Sequence, residues 1–239
     1  MSTALLFRDD AALQDCEATV TAINDKGGIL LDRTVFYATA GGQPGDKGKI
    51  VWDGGEAVIA TTVYDEAKQP VHVPDAGQPL PPVGAKVKAV LDWSIRYRNM
   101  RAHTLMHLLC ASVPFPVTGG AISEDGGRID FDIPEGQIPD KAELTATLNR
   151  LVTEDHPVSY RWITYEEMQA NQHLIRTMSV KPPMGTGRVR LVMIGPEGKV
   201  DLQPCGGTHV ASTGVIGPVA VAKIENKGKI NRRIRVAFQ

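Results

Sequence analysis

AKVKAVLDWSIRYRNMRAHTLMHLLCAS, residues 85–112, holds the change of character on which the fold turns. Its first part, AKVKAVLD, is short, valine-rich and preceded by a Pro/Gly loop at 74–85, which reads as a strand. From Ser94 onward the spacing is helical and the residues are good helix formers, with Ser94 as the N-cap and Pro114 and Pro116 as the stop.

Upstream, EATVTAI, GILLDRTVFY, KGKIVW, AVIATTVY and QPVHV are further short runs rich in Val, Ile and Thr, separated by turn residues. Six such strands within residues 17–92 suit a small antiparallel barrel. Downstream, AISEDGGRIDFDI is a hairpin and DKAELTATLNRLVTE a helix with Asp140 and Glu143 in capping-box positions. VSYRWI is a strand, and Thr164 with Glu167 caps a short third helix, YEEMQANQH. RVRLVMIG, GKVDLQ, GPVAVAKI and RRIRVAF are closing strands. Strands and helices mix without regular βαβ alternation, so the expected class is α+β. The expected domains are a barrel at 1–92 and, at 93–239, an α+β domain with helices packed on an antiparallel sheet.

The 239 residues are 42% hydrophobic and 22% charged, ordinary values for a soluble globular chain. The net charge of −1 excludes a global basic signature, so any nucleic-acid contact has to come from local patches. Three scattered cysteines do not make a disulfide framework. MSTALLFRDD turns acidic too soon for a signal peptide, and no apolar run approaches the ~20 residues of a membrane span. The expected compartment is the cytoplasm, with no membrane partner.

His103 and His107 stand four apart, which on a helix sets two imidazoles side by side. Zinc peptidases put a glutamate after the first histidine, in H-E-x-x-H; here that residue is Thr104. The bland alternative is two polar residues on a solvated face, against which stand Leu105, Met106, Leu108 and Leu109. QPCGGTHV, residues 203–210, repeats the spacing with Cys205 and His209, but Gly206 and Gly207 between them favour a tight turn over a helix. The two pairs together supply His103, His107, Cys205 and His209, a full tetrahedral set of zinc-type ligands. His72, His156 and His173 read as structural, and Cys16 and Cys110 as small apolar residues.

HTLMHLL followed by CGGTHV resembles the editing domain of alanyl-tRNA synthetases and the free-standing alanyl-tRNA editing proteins. YATAGGQPGDKG (37–48), GGRIDFD (126–132) and KIENKGKINRRIRV (223–236) are similar to further segments of that family. The resemblance runs in order from about residue 30 onward. It implies zinc (Zn2+) on His103, His107, Cys205 and His209, and hydrolysis of mischarged tRNA(Ala), chiefly Ser-tRNA(Ala), with Gly-tRNA(Ala) as a second candidate. Gly41, Gly42 and Gln43 then bring backbone N–H groups and an amide near the aminoacyl end, and Thr34 senses a serine hydroxyl; a plain loop and an ordinary strand threonine are the alternatives. Two departures stand out. Ala40 precedes Gly41 where a polar residue is more usual, and Leu105-Met106 is bulky between the histidines.

Basic residues lead into the zinc helix (Arg96, Arg98 and Arg101) and crowd the C-terminal hairpin (Lys227, Arg232 and Arg233 among them), which suits phosphate contacts to a tRNA acceptor end. The alternative is charge that protects strand edges. No catalytic side chain beyond the metal ligands is readable. Four protein ligands also fit a closed, structural site, so a non-catalytic RNA-binding module remains the rival, with a zinc peptidase disfavoured by Thr104.

Overall fold

A computed structural model describes residues 2–175 and 187–239. The chain divides into two compact units, Met1–Asn99 and Met100–Gln239. Six antiparallel strands close a barrel in the first: β1 (Asp15–Ile23), β2 (Ile29–Leu31), β3 (Gly48–Trp52), β4 (Gly55–Tyr64), β5 (Pro70–Pro74) and β6 (Lys86–Leu91). Their order around the barrel is β1-β2-β5-β4-β3-β6, with β6 returning to β1. Along β6 exposed and buried positions alternate, so Val87, Ala89 and Leu91 join Ile29, Leu31, Ile50 and Ile59 inside. Closure removes the free edges that an open sheet of this size would present.

GILLDRTVFY does not form one strand. β2 stops at Leu31, Asp32 turns its carboxylate to the Thr19 N–H at 2.7 Å, and Arg33–Thr34 pairs in parallel with Ala4–Leu5. The chain then runs irregularly through the glycine-rich loop, where one buried carboxylate organises it. Asp46 accepts from the Tyr37 N–H at 2.6 Å and from the Arg96 guanidinium, which also donates to the carbonyls of Ala11 and Val35. Arg96 is 0% exposed, so it is a structural cation of the first unit and is withdrawn from the RNA contacts. Gly45 is required here, because a Cβ would lie 1.9 Å from the Thr62 carbonyl oxygen.

α1 spans Trp93–Ser112, and the division between the units falls within it. Its cap is Asp92 rather than Ser94: one carboxylate oxygen accepts the N–H groups of Ser94 and Ile95 and the Ser94 hydroxyl. A carboxylate both satisfies these orphan donors and complements the helix dipole.

The second unit holds β7 (Val117–Ser123), β8 (Gly126–Asp132), α2 (Lys141–Thr153), β9 (Val158–Thr164), α3 (Tyr165–Ala170), β10 (Arg188–Ile194), β11 (Asp201–Pro204), β12 (Val219–Asn226) and β13 (Asn231–Phe238). These strands form two antiparallel sheets, β12-β13-β8-β7 and β9-β10-β11. α2 is capped by Asp140 and packs on β12, where the Asn149 amide takes both the N–H and the C=O of Val219. Thr164 and Glu167 form a reciprocal capping box on α3. The architecture is thus α+β, a closed barrel plus helices and antiparallel sheets. Among the described residues no helix is long and apolar enough to cross a membrane.

Inside the barrel, His72 is fully buried and bonded at both nitrogens. Nδ1 donates to the Ile29 carbonyl at 2.9 Å, so Nε2 accepts the Thr34 hydroxyl at 2.8 Å. Burial holds its pKa down at about 4, against the opposing Ile29 bond. The folded state therefore resists a proton that the unfolded chain accepts below about 6.5. Stability from this group is complete above pH ~6.5 and is lost as pH falls toward ~4, by about 3 kcal/mol in all. Urea midpoints of the wild type and His72→Gln, compared across that window, should converge toward acid; parallel curves would refute the assignment.

Candidate metal centre

α1 is buried all round from Ala102 to Cys110, so its two histidines do not sit on a solvated face. His103 and His107 project side by side, with ring centroids 5.3 Å apart. The turn after β11 brings Cys205 and His209 against them. The His209 ring lies 4.3 Å from that of His103 and 4.5 Å from that of His107. One ligand atom from each of His103, His107, Cys205 and His209 falls within 4.8 Å of the other three.

The donor set fits a zinc-sized ion. Cys205 Sγ is 3.5 Å from His103 Nε2 and 3.4 Å from His209 Nε2. Tetrahedral coordination with S and N at ~2.3 and ~2.0–2.1 Å gives an S···N edge of about 3.5 Å.

The neighbours of the imidazoles fix which nitrogen faces the cluster. His107 Nδ1 donates to Asp201 Oδ2 at 2.8 Å, leaving Nε2 for an ion. Gln203 donates to the same oxygen at 2.8 Å and holds the carboxylate in place. On His209 the anchor is Thr104. The Thr104 hydroxyl donates to the Met100 carbonyl at 3.0 Å, so its oxygen accepts from His209 Nδ1 at 3.2 Å and from the Val210 N–H at 3.3 Å. Partners of this kind orient ligating histidines and raise their basicity. The residue that replaces a peptidase glutamate is therefore a support for the fourth ligand.

The electrostatics match a site built for a cation. Burial pushes the Cys205 thiol up, but His103 above all, then His107 and His209, pull it well below its ordinary value. Burial opposes a charge on His107, yet the Asp201 and Cys205 hydrogen bonds and charges raise its pKa to about 9. His209 is held well below the usual value by burial and by its two neighbouring imidazoles.

Gly41 and Gly42 are exposed at the tip of a tight turn closed by Ala40 and Gln43, and both have positive φ. Gln43 is buried. Thr34 is buried in the barrel unit, its hydroxyl proton committed to His72 while its oxygen accepts the Phe36 N–H. Arg98 and Lys227 are exposed. Arg101 donates to the Ile216 carbonyl and stacks on Phe238. Arg232 is 4% exposed and spends its guanidinium on the carbonyls of Gly228, Lys229 and Asn231, so it is a brace of the hairpin and no longer an RNA candidate. Arg233 pairs with Asp130, which also takes Arg128. Sequence reasoning missed Asp201, Gln203 and the anchoring task of Thr104. A carboxylate four residues before a candidate ligand was the available signal for Asp201.

Residues 189–235 match the family model described as "Threonyl and Alanyl tRNA synthetase second additional domain", and residues 7–95 match "tRNA synthetases class II (A)". An alanyl-tRNA editing protein AlaX-M of Methanosarcina acetivorans is 33% identical over 97% of this chain and 97% of its own length. An alanyl-tRNA editing protein AlaX-L of Pyrococcus horikoshii is 30% identical over 94% of this chain and 55% of its own. An alanine–tRNA ligase of Pyrobaculum neutrophilum is 34% identical over 93% of this chain, which corresponds to 25% of the ligase.

Thr104→Val keeps the volume of the side chain and removes the anchor of His209. Zinc affinity, read by competition with a chromogenic chelator, should fall at least about 10-fold with the fold intact; Asp201→Asn should act likewise through His107. Unchanged affinity in both would refute the anchoring roles.

Proposed function

The chain belongs to the family of alanyl-tRNA editing proteins, and from that premise we propose that it is a zinc-dependent hydrolase that removes wrongly attached amino acids from tRNA(Ala). Serine is the chief target and glycine the second. The need is physical. A synthetase pocket that holds alanine rejects a residue with one more hydroxyl, or one fewer methyl, by only about 10- to 200-fold, so a second hydrolytic site has to supply the rest. The observation that carries the reading is the convergence of His103, His107, Cys205 and His209 with two imidazoles held in a ligating tautomer.

Bound by these four residues, zinc would supply Lewis acidity or orient the aminoacyl group. The chain's own task is to keep the ligands aimed and the site dry around them: the three histidines are each at most 7% exposed. The substrate is an activated ester with an alcohol leaving group, which asks less of a general acid than an amide does. That is consistent with Thr104 where a peptidase carries its base. Gly41, Gly42 and Gln43 stay as proposed substrate contacts through the glycine loop, and Arg98 and Lys227 as proposed contacts to RNA phosphates. A cytoplasmic location follows from this substrate.

One observation favours a second reading. Four protein ligands make a closed set, as in structural zinc sites. In that case the protein binds RNA without hydrolysing it.

Timed deacylation separates the two. Zinc-loaded protein should release serine from Ser-tRNA(Ala), and glycine from Gly-tRNA(Ala), while sparing Ala-tRNA(Ala). Chelation should abolish release and added zinc restore it; Cys205→Ala should be inactive. Absence of release by zinc-loaded protein would leave the RNA-binding module standing. The apparent affinity for substrate should also fall steeply with salt, with a log–log slope near −0.9 for each duplex phosphate contacted. A salt-independent KM would remove the phosphate contacts from the proposal.

A further inference from the structure

Two of the four ligands ride on a turn whose central residues, Gly206 and Gly207, give it little shape of their own. Arg190 supplies that shape. Its carbonyl on β10 accepts the Cys205 N–H at 3.1 Å, extending the pairing with β11 by one residue. Its side chain then folds over the same turn. Nε donates to the Cys205 carbonyl at 3.1 Å, and Nη2 donates to the Gly207 carbonyl. One residue thus satisfies both backbone groups of Cys205 and the carbonyl two positions on.

The guanidinium is held in turn. Arg190 is 3% exposed, and its guanidinium carbon lies 4.4 Å from the centre of the Tyr160 ring. Tyr160 pairs with Val192 and Trp162 with Arg190, so the stacked residues are diagonal neighbours on one face of the sheet. Stacking fixes the plane of the fork, and the planar fork reaches both carbonyls in one pre-organised geometry, which a flexible ammonium lacks.

We propose that Arg190, backed by Tyr160, is a positioning residue for Cys205: it templates the glycine turn so that the thiolate reaches the three imidazoles. The inference rests on the cluster being a zinc site and goes beyond it by naming what sets the Cys205 ligand.

The test uses the full-length protein, zinc competition with a chelator, and cobalt(II) substitution. The thiolate-to-cobalt charge-transfer band reports Cys205 alone, whereas the ligand-field bands report the whole coordination shell. Wild type should bind both ions and show both features. Arg190→Lys and Arg190→Gln should lose about 10- to 100-fold in zinc affinity and most of the thiolate band, with bound cobalt still showing ligand-field bands. Tyr160→Leu should lose about 3-fold in the same direction. Wild-type affinity and a full thiolate band in the Arg190 variants would overturn the proposal. So would a lower unfolding midpoint with the band unchanged, since that is a merely structural role. If Arg190→Gln does not fold, Arg190→Lys and Tyr160→Leu decide alone, and an unchanged band in both overturns it. Wild type that takes up neither ion would instead sink the zinc reading on which the clamp rests.

Discussion

A thiolate and three imidazoles crowded within 4.8 Å form an arrangement that a protein interior resists. Each group loses water on burial, and each additional proton repels the ones already there. Such a cluster persists only if its members are individually tethered or share a cation. Here the tethers act on the same side chains that could share a cation. Asp201 tethers His107, Thr104 tethers His209, and the free nitrogens that remain face inward. A lone-pair donor set with fixed tautomers is what a borderline-soft cation requires. The local structure of the second unit is largely a means of keeping these tethers in register.

The two halves of the site solve this problem differently. α1 gives His103 and His107 their spacing without further help, because i and i+4 are neighbours on any α-helix. The Cys205–His209 turn has no such built-in ruler. Glycine lets the backbone pass close to the cluster, but glycine also leaves the turn entropically loose. External bonds have to make good the loss, and Arg190 directs its fork at the carbonyls of Cys205 and Gly207. A rigid element carrying half the ligands and a pliable one clamped from the neighbouring strand make the turn the sensitive half.

Legibility in the sequence followed the range of the interactions. The strands, the helices and the two ligand pairs were readable because hydrophobic runs, turn residues and four-residue spacings are local signals. The zinc-type set could be assembled by chemistry alone, since His and Cys in matched pairs have few other uses. What escaped was set by distant partners. Arg96 stands among other arginines and reads as surface charge, but Asp46, fifty residues upstream, draws it fully inside. Arg232 sits in a basic hairpin and turns back onto carbonyls of its own turn. GILLDRTVFY has strand composition throughout, yet Asp32 and the demands of Arg96 on the Val35 carbonyl break it after three residues. Asp92 and Ser94 are both competent caps two positions apart, and only the dipole and the number of donors satisfied decide between them.

Thr104 turns a missing residue into a positive argument. In the peptidase arrangement the residue after the first histidine is a carboxylate that works as a base toward the substrate. In this protein that position is 0% exposed and lies between the Met100 carbonyl, the Val210 N–H and His209. A glutamate there would bury a charge beside a carbonyl oxygen and leave His209 without its present support, a cost of several kcal/mol with no solvent to offset it. With its proton on the Met100 carbonyl and its oxygen taken by His209 and Val210, Thr104 is spent on support. In the proposed hydrolysis, proton transfer would fall to a group other than Thr104, and a leaving group that departs with little acid assistance suits that arrangement. An aminoacyl ester meets the condition, and a peptide bond does not.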